Sequence, residues 1–174
     1  MLIVPMRVDM IGCLERLMVQ GGPYIRARTA SDYWLYARLF SSTCPVAVDD
    51  EVLVGAVIAM RSQDDPGDVY VQDVMVHRDY RRRGIAAGLL GVVVAQAKQW
   101  NAHRLFLTSE PDNTSADAAW RRLGFANLPG DATDGGVHVI SDFKGPGRHR
   151  AVYQLDLPAA VSAAHPTKAQ VSDR

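Results

Sequence analysis

The sequence has no excess charge of either sign. Its 174 residues include 19 lysines and arginines and 19 aspartates and glutamates, so the formal net charge at pH 7 is zero. Nucleic-acid binding usually needs a basic field that displaces counterions from phosphates, and a polybasic membrane anchor needs a cluster of cations. The charge balance therefore argues against nucleic acid and against a membrane surface as partners.

Cysteines, metal-ligand motifs and long apolar runs are also scarce. Cys13 and Cys44 stand in apolar surroundings outside any CxxC pair, which favours two reduced thiols over a disulfide framework or a zinc site. The histidines show no HExxH spacing, so no metal site is predicted. The N-terminus lacks the pattern of a signal peptide, and no apolar run reaches the roughly 18 residues of a membrane span. We therefore expect a cytoplasmic protein.

What remains is an ordinary globular composition. Hydrophobic residues make up 48% of the chain and charged residues 22%, and the length fits one core. No internal repeat is visible. Residues 158–174 are mostly small and polar, which predicts a flexible C-terminal tail after one domain at residues 1–157.

Periodicity and turn residues predict a mixed α+β fold. Helices are predicted at residues 10–20, 31–40, 85–100 and 115–123. Strands are predicted at residues 2–7, 44–48, 52–60, 69–76, 104–108, 137–143 and 151–157. Ser31 is the expected N-cap of the second helix, residues 49–51 form an expected hairpin turn, and Gly124 is expected to end the last helix.

The stretch from residue 69 to residue 87 carries the clearest chemical signal. An apolar strand runs into Arg81, Arg82, Arg83 and Gly84, and a helix follows at once. Helix N-termini present unpaired N–H groups and about half a unit of positive charge, and a glycine lets the backbone approach an anion closely. These features suit a pyrophosphate, although a helix start with a solvated basic cap would look the same. The nucleotide motifs GxGxxG and GK[ST] are absent.

Two motifs in order resemble a known superfamily. Arg81-x-x-Gly84-x-Ala86 is similar to the Q/R-x-x-G-x-G/A signature of the GNAT N-acetyltransferases. Further on, Asn113, Ala116, Trp120 and Gly124-Phe125 resemble that family's N-x-x-A-x-x-x-Y-x-x-x-G-F segment. The resemblance covers residues 46–125 and implies the GNAT fold, a mixed central sheet flanked by helices.

The resemblance also implies acetyl-CoA as co-substrate and direct attack of an amine on the thioester. Main-chain groups of Val74 and Val76 would bond the pantetheine arm and the acetyl carbonyl, where the strand splays from its neighbour. The amides of residues 82–87 would cradle the pyrophosphate. Many relatives are dimers, so we expect a homodimer. The residues expected at the coenzyme are Val74, Val76, Arg81, Arg82, Arg83, Gly84, Ile85, Ala86, Ala87, Asn113 and Trp120.

Asp73 is the first candidate for the general base. A carboxylate in a mostly apolar strand should have a raised pKa, which suits a base near neutral pH. The alternative is that Asp73 binds the substrate without taking a proton. His77 and His138 are weaker candidates.

The general acid is left open by the sequence. Trp120 stands where the family often has an acidic tyrosine, and an indole N–H is a very poor acid. Tyr153, Tyr80 or a water would then have to protonate the departing thiolate.

The acceptor is predicted to be a small-molecule primary amine. Residues 32–47 look like diaminobutyrate acetyltransferases, whereas residues 31–33, 54–56 and 70–86 look like aminoglycoside 3-N-acetyltransferases. A diamino acid would need a cation such as Arg26, Arg28 or Arg38, whereas an aminoglycoside would need an acidic pocket. The candidates for such a pocket are Asp49, Asp50, Glu51, Asp64, Asp65, Asp131 and Asp134.

The loop at residues 142–148 is unusual and could shape the acceptor pocket. A protein or peptide N-acetyltransferase and a non-catalytic acyl-CoA-binding module are the alternative functions.

Overall fold

Strands and helices alternate along residues 1–158, the part of the chain that the computed structural model describes. The helices are α1 (Ile11–Val19), α2 (Ala30–Leu39), α3 (Ile85–Gln99) and α4 (Thr114–Arg122). The strands are β1 (Leu2–Pro5), β2 (Pro45–Asp49), β3 (Val52–Arg61), β4 (Asp68–Val76), β5 (Arg104–Ser109), β6 (Ala126–Asn127), β7 (Ala132–Asp134), β8 (Val137–Val139) and β9 (Ala151–Asp156). The predicted tail lies, from residue 159 onward, outside the described residues.

The main sheet has seven strands in the order β1-β2-β3-β4-β5-β9-β6, and β7 and β8 form a separate hairpin. Only the pair β4–β5 is parallel; the other strand pairs of the described chain are antiparallel. One apolar core lies between the sheet and α3, and a second lies under α1 and α2. The predicted mixed sheet flanked by helices is therefore confirmed.

A β-bulge on β4 changes which face of the sheet each side chain occupies. Ile58 of β3 pairs with Asp73, but its neighbour Ala59 pairs with Val71, so Gln72 is an extra residue on β4. Side chains alternate along a strand, and one extra residue reverses the alternation. Val71 thus packs in the core beside α3, whereas Met75 packs under α1 and α2.

Strands β4 and β5 separate halfway along β4. Their parallel pairing runs from Asp68 with Arg104 to Val71 with Leu107 and ends there. The rest of β4, as far as Val76, pairs only with β3. The sheet therefore opens on one side of the second half of β4.

Some predicted details were wrong. Helix α2 begins one residue before Ser31, and its cap is Thr29, whose hydroxyl accepts the Asp32 N–H while the Asp32 carboxylate accepts the Thr29 N–H. This reciprocal capping box satisfies two orphan donors, which Ser31 alone would not do.

The predicted turn at residues 49–51 is present, with Asp50 and Glu51 at positive φ.

The late strands also differ from the prediction. The strand expected at residues 137–143 ends at Val139, because Ile140 makes only an isolated bridge to Arg150 and the chain turns at Asp142 with a φ of 52°. Strands β6 and β7 were not predicted, since two or three residues are too few for an alternating pattern.

No helix within residues 1–158 is long and apolar enough to cross a membrane.

Helix α3 rests directly on Gly55 of β3. A Cβ placed there would lie 2.9 Å from Cγ2 of Ile85 and 3.1 Å from Cδ1 of Leu89. We expect Gly55→Ala to push the first turns of α3 off the sheet and to lower the free energy of unfolding by about 1–3 kcal/mol, measured by urea denaturation.

Gly91→Ala, in the same helix, is the matched control. A Cβ at Gly91 meets nothing within 4 Å. This change should raise stability by about 0.5–1 kcal/mol, because alanine loses less backbone entropy in a helix. Equal effects of the two substitutions would contradict the close packing at Gly55.

Candidate functional site

A cleft of about 1490 Å³ lies where β4 and β5 separate. Its walls are the end of β4, the start of α3, the end of β5, the start of α4 and two loops, at residues 21–28 and 144–150. The opening of the sheet thus coincides with two helix N-termini.

The start of α3 forms one end of the cleft. Gly84 adopts the left-handed conformation with a φ of 78°, and no side chain caps the first turn. Gly84, Ile85, Ala86 and Ala87 all line the cleft. Unsatisfied N–H groups at a helix N-terminus bind anions, and a Cβ at Gly84 would meet no protein atom within 4 Å. The residues present therefore fit a diphosphate group.

Most of the predicted coenzyme residues converge on the cleft. Val74, Val76, Arg81, Arg82, Asn113 and Trp120 line it together with the start of α3. Arg83 does not, because its guanidinium lies over the ring of Tyr80, 4.8 Å from the centroid. The role expected of Arg83 rests on its main-chain amide and its charge, and it stays a prediction.

Two of these residues already have partners. The Arg81 Nε donates to the main-chain carbonyl of Val76 at 3.3 Å. The Asn113 side chain caps α4, since its Oδ1 accepts the Ala116 N–H at 3.1 Å. Asn113 therefore fixes the start of α4 at the rim of the cleft.

Asp73 lies on the opposite face of the sheet from α3, as the bulge at Gln72 requires. Its side chain is 9% exposed, and its Oδ2 lies 3.5 Å from the Nε of Arg28. Neither of these two atoms has a hydrogen-bond partner within residues 1–158. The pair is thus a close ion pair without a hydrogen bond, and it lines the cleft.

Burial raises the pKa of the Asp73 carboxyl above its ordinary value of 3.8, and the charges of Arg28 and Lys144 oppose that rise. A carboxylate that is hard to ionise and open to a cleft can accept a proton or hold an ammonium group.

Two cations approach Asp73 from different loops. Arg28 is held by the Tyr33 hydroxyl, which accepts its backbone N–H at 2.9 Å. The Lys144 Nζ donates to the hydroxyl of Tyr70 at 2.6 Å and lies 5.2 Å from the centroid of that ring. The loop containing Lys144, singled out in the sequence as unusual, thus forms part of the cleft wall.

Tyr153 is not brought to the cleft. It is 1% exposed, and its hydroxyl donates to Oδ1 of Asp117 at 2.7 Å. Burial first, and then the Asp117 carboxylate, raise the pKa of Tyr153 well above its usual range. The prediction of Tyr153 as an acid therefore needs correction, because the side chain is packed in the core and its O–H is already hydrogen-bonded to Asp117.

The other candidate acid–base residues also differ in whether they line the cleft. Tyr80 lines the cleft, whereas His77 and His138 do not. The His77 Nδ1 accepts the backbone N–H of Asp79 at 3.3 Å.

The cleft lining includes no cysteine and no histidine within the described part of the chain, so it offers neither a Cys–His nor a Ser–His pair for an acyl-enzyme. Cys44 is buried beneath the sheet, and burial raises its pKa to about 12. No three histidine, cysteine or acidic side chains in residues 1–158 are grouped as a metal site.

One cleft residue was missed by sequence reasoning. Ser109 ends β5, and its Oγ accepts the indole N–H of Trp120 at 2.8 Å. A single serine at a strand end carries no sequence pattern, so only the folded structure reveals the pair.

Comparison with known proteins identifies similar chains. The model of the Acetyltransferase (GNAT) family matches residues 15–125. An L-2,4-diaminobutyric acid acetyltransferase of Halomonas elongata is 29% identical over 107 residues, which are 61% of this chain and 56% of the relative. The enzyme of the same description from Marinococcus halophilus is 30% identical over 91 residues, 52% of this chain and 53% of the relative. The matched part thus spans little more than half of these relatives.

Solved structures share the fold. A diaminobutyrate acetyltransferase from Paenibacillus lautus, in complex with L-2,4-diaminobutyric acid and coenzyme A, superposes with a TM-score of 0.70 at 19% identity, covering 89% of this chain and 93% of that one. Naa20 of Chaetomium thermophilum, in complex with a bisubstrate analogue, gives 0.73 at 18% identity, covering 90% and 87%. At these identities the likeness is one of fold.

We expect Arg28→Gln to move the acidic limb of the pH profile of kcat/KM to higher pH. Arg28 lowers the pKa of Asp73, so its removal lets burial raise that pKa further, and activity is lost at a higher pH as the carboxyl protonates. The measurement is kcat/KM from pH 4 to pH 9 with one amine, whose own ionisation is the same for both proteins. An unmoved limb would show that Asp73 is not the titrating group.

We expect Gly84→Ala to weaken coenzyme A binding about tenfold, because alanine at positive φ costs about 1–2 kcal/mol and re-aims the amides of the first turn. Isothermal titration measures the affinity. Gly136→Ala is the control, since Gly136 has a φ of 86° and open space around it but lies in the β7–β8 hairpin. Equal loss of affinity in both variants would mean that strain alone is responsible.

Proposed function

Because the chain belongs to the Acetyltransferase (GNAT) family, we propose that it is an acetyl-CoA-dependent acyltransferase whose acceptor is the primary amine of a small molecule. The observation that carries the proposal is the buried Asp73 carboxylate, which lines the cleft beside the opening of the sheet and lacks a hydrogen bond at Oδ2. A buried acceptor without a donor is costly, and an ammonium group in the cleft would satisfy it.

The coenzyme end of the cleft follows from the start of α3. The amides of residues 84–87 would bind the diphosphate, with Arg81 and Arg82 adding positive charge along the cleft. Val74 and Val76 lie on the stretch of β4 that pairs with β3 but not with β5, so their main chain borders the gap beside β5. The coenzyme supplies an acetyl group activated as a thioester.

The acceptor end follows from Asp73. An amine attacks only as the neutral base, so the ammonium form must first lose a proton. In this proposal Asp73 Oδ2 holds the ammonium and takes that proton. The amine nitrogen then bonds to the acetyl carbon as the carbon–sulfur bond breaks, and the bonding pair leaves with sulfur. The nitrogen releases its surplus proton to solvent, which gives the neutral amide. No acyl-enzyme is required, in keeping with the lack of cysteine and histidine in the described cleft lining.

The charges around Asp73 favour an acceptor that also carries a carboxylate. Arg26, Arg28, Lys144 and Arg148 line the cleft. The terminal guanidinium nitrogens of Arg28 can bind a carboxylate through two parallel hydrogen bonds. An amino acid with a second, side-chain amine combines both charges, and the similarity to L-2,4-diaminobutyric acid acetyltransferases supports this class.

An aminoglycoside fits the cleft less well. The acidic residues proposed for its pocket, at positions 49–51, 64–65, 131 and 134, do not line the cleft. Glu110 does, but its carboxylate already accepts from Arg150 at 2.9 Å. The described cleft therefore offers little uncompensated negative charge to a polycation.

We expect Arg28→Gln to raise KM for L-2,4-diaminobutyrate about tenfold or more, because it removes a charged hydrogen-bond donor. For 1,3-diaminopropane, which is the same diamine without the carboxylate, KM should stay the same at a pH well above the acidic limb, where Asp73 is ionised in both proteins. Thiol release from acetyl-CoA measures both. A loss shared by the two amines would indicate an effect through Asp73 rather than carboxylate binding.

Arg38→Gln is the matched control. Arg38 was the third arginine considered from sequence, but it is exposed at the end of α2 and does not line the cleft. Its loss should change neither amine's KM.

The same assay separates the alternative functions. Release only with peptides would favour a protein N-acetyltransferase, and a ribosomal-protein-alanine N-acetyltransferase from Brucella melitensis shares this fold. Coenzyme binding without release for any amine would favour a non-catalytic acyl-CoA-binding module. A homodimer and a cytoplasmic location remain predictions of the sequence.

A further inference from the structure

Trp120 and Ser109 form a bonded pair inside the cleft. The indole N–H of Trp120 donates to the Ser109 Oγ at 2.8 Å. An indole nitrogen can only donate, so the serine oxygen is the acceptor in this bond. The hydroxyl hydrogen of Ser109 is therefore left to bond a second group, and residues 1–158 provide no protein acceptor for it.

Ser109 lies at the opening of the sheet, where its hydroxyl hydrogen can rotate toward a group bound in the cleft. Leu105, Leu107 and Ser109 are the buried residues of β5, and the two leucines belong to the core beside α3. Pairing with β4 ends at Leu107, two positions before Ser109 in the chain. The hydroxyl thus lines the cleft on the α3 side of the sheet, the side of the proposed coenzyme end.

The tyrosines are less suited to assist a leaving group here. The Tyr153 hydroxyl is buried and bonded to Asp117. Tyr80 lines the cleft but directly precedes Arg81 and Arg82, at the proposed diphosphate end. Ser109 is the hydroxyl that combines a fixed orientation, a free hydrogen and a place beside the strand opening.

We propose that Ser109, oriented by Trp120, donates a hydrogen bond to the sulfur of the coenzyme as the thioester breaks. This inference rests on the proposed function for the location of the coenzyme. Serine is too weak an acid to give up its proton. It therefore keeps the proton and, through the hydrogen bond, stabilises the negative charge that develops on sulfur as the carbon–sulfur bond breaks. Donation from the indole into the serine oxygen strengthens the serine O–H as a donor. The proton that finally neutralises the thiolate comes from solvent.

The first test measures binding, not turnover. Coenzyme A and desulfo-coenzyme A, in which hydrogen replaces the thiol, are titrated calorimetrically at pH 9, where part of the free thiol is ionised. The wild-type protein should bind coenzyme A about tenfold more tightly than the desulfo compound, the size expected of a hydrogen bond to a charged acceptor. Ser109→Ala should abolish that ratio and leave desulfo-coenzyme A binding unchanged.

Three further variants sharpen the test. Ser109→Thr keeps the hydroxyl and should restore the ratio. Trp120→Phe keeps an aromatic ring but loses the N–H, and should give an intermediate ratio. Thr108→Val is the control, because Thr108 also lines the cleft but projects from the other face of β5, where its hydroxyl lies 3.4 Å from that of Tyr70. Its ratio should equal that of the wild type.

The second test measures turnover. Ser109→Ala should lower kcat about tenfold while KM for acetyl-CoA stays unchanged, since the bond strengthens only as charge reaches sulfur. An unchanged ratio and kcat in Ser109→Ala, with normal coenzyme binding, would overturn the inference. Failure of the wild-type protein to bind either coenzyme would instead overturn the proposed function.

Discussion

The register between β3 and β4 is the constraint on which the site depends. Gln72 is one residue more than β3 can pair, and the alternation of β4 reverses there. Without that bulge, regular alternation would put Asp73 on the same face as Val71, in the apolar core beside α3. With it, the carboxylate faces the loop that carries Arg28, and pairing between β4 and β5 ends at the preceding residue, Val71. One inserted residue thus places the carboxylate and coincides with the opening in the sheet.

Most of the fold could be predicted because its elements are long and regularly patterned. Helix α3 has apolar residues on nearly every turn and begins after Gly84, so both its presence and its start were visible in the sequence. The short strands β6 and β7 were not, because a strand of two or three residues is defined by its partner rather than by its own side chains. The N-cap of α2 was predicted at the wrong residue for a related reason. Thr29 and Asp32 cap the helix together, and the hydrophobic pattern of the sequence does not reveal such a reciprocal pair.

The site was predictable in unequal parts. The coenzyme end depends on main-chain groups and on a glycine in the left-handed conformation. Because few residues other than glycine adopt that conformation, this requirement is visible in the sequence as a motif. The acceptor end rests on side chains from distant segments, such as Arg28, Asp73 and Lys144, which only folding brings together. Tyr153 shows the limit of reading a residue type alone. It has the right chemistry for an acid, but its strand position turns the hydroxyl toward Asp117 in the interior.

The coenzyme end depends on main-chain groups and the acceptor end on side chains, and this difference has an evolutionary consequence. Amide groups at the start of α3 persist whatever side chains surround them, whereas Lys144 is tied to the sheet through Tyr70 and lies in a loop closed by the single bridge between Ile140 and Arg150. Exchanging that loop would disturb no strand of the main sheet. Descendants of this chain could therefore acquire new acceptors by drift in one surface segment while their acyl donor stays the same.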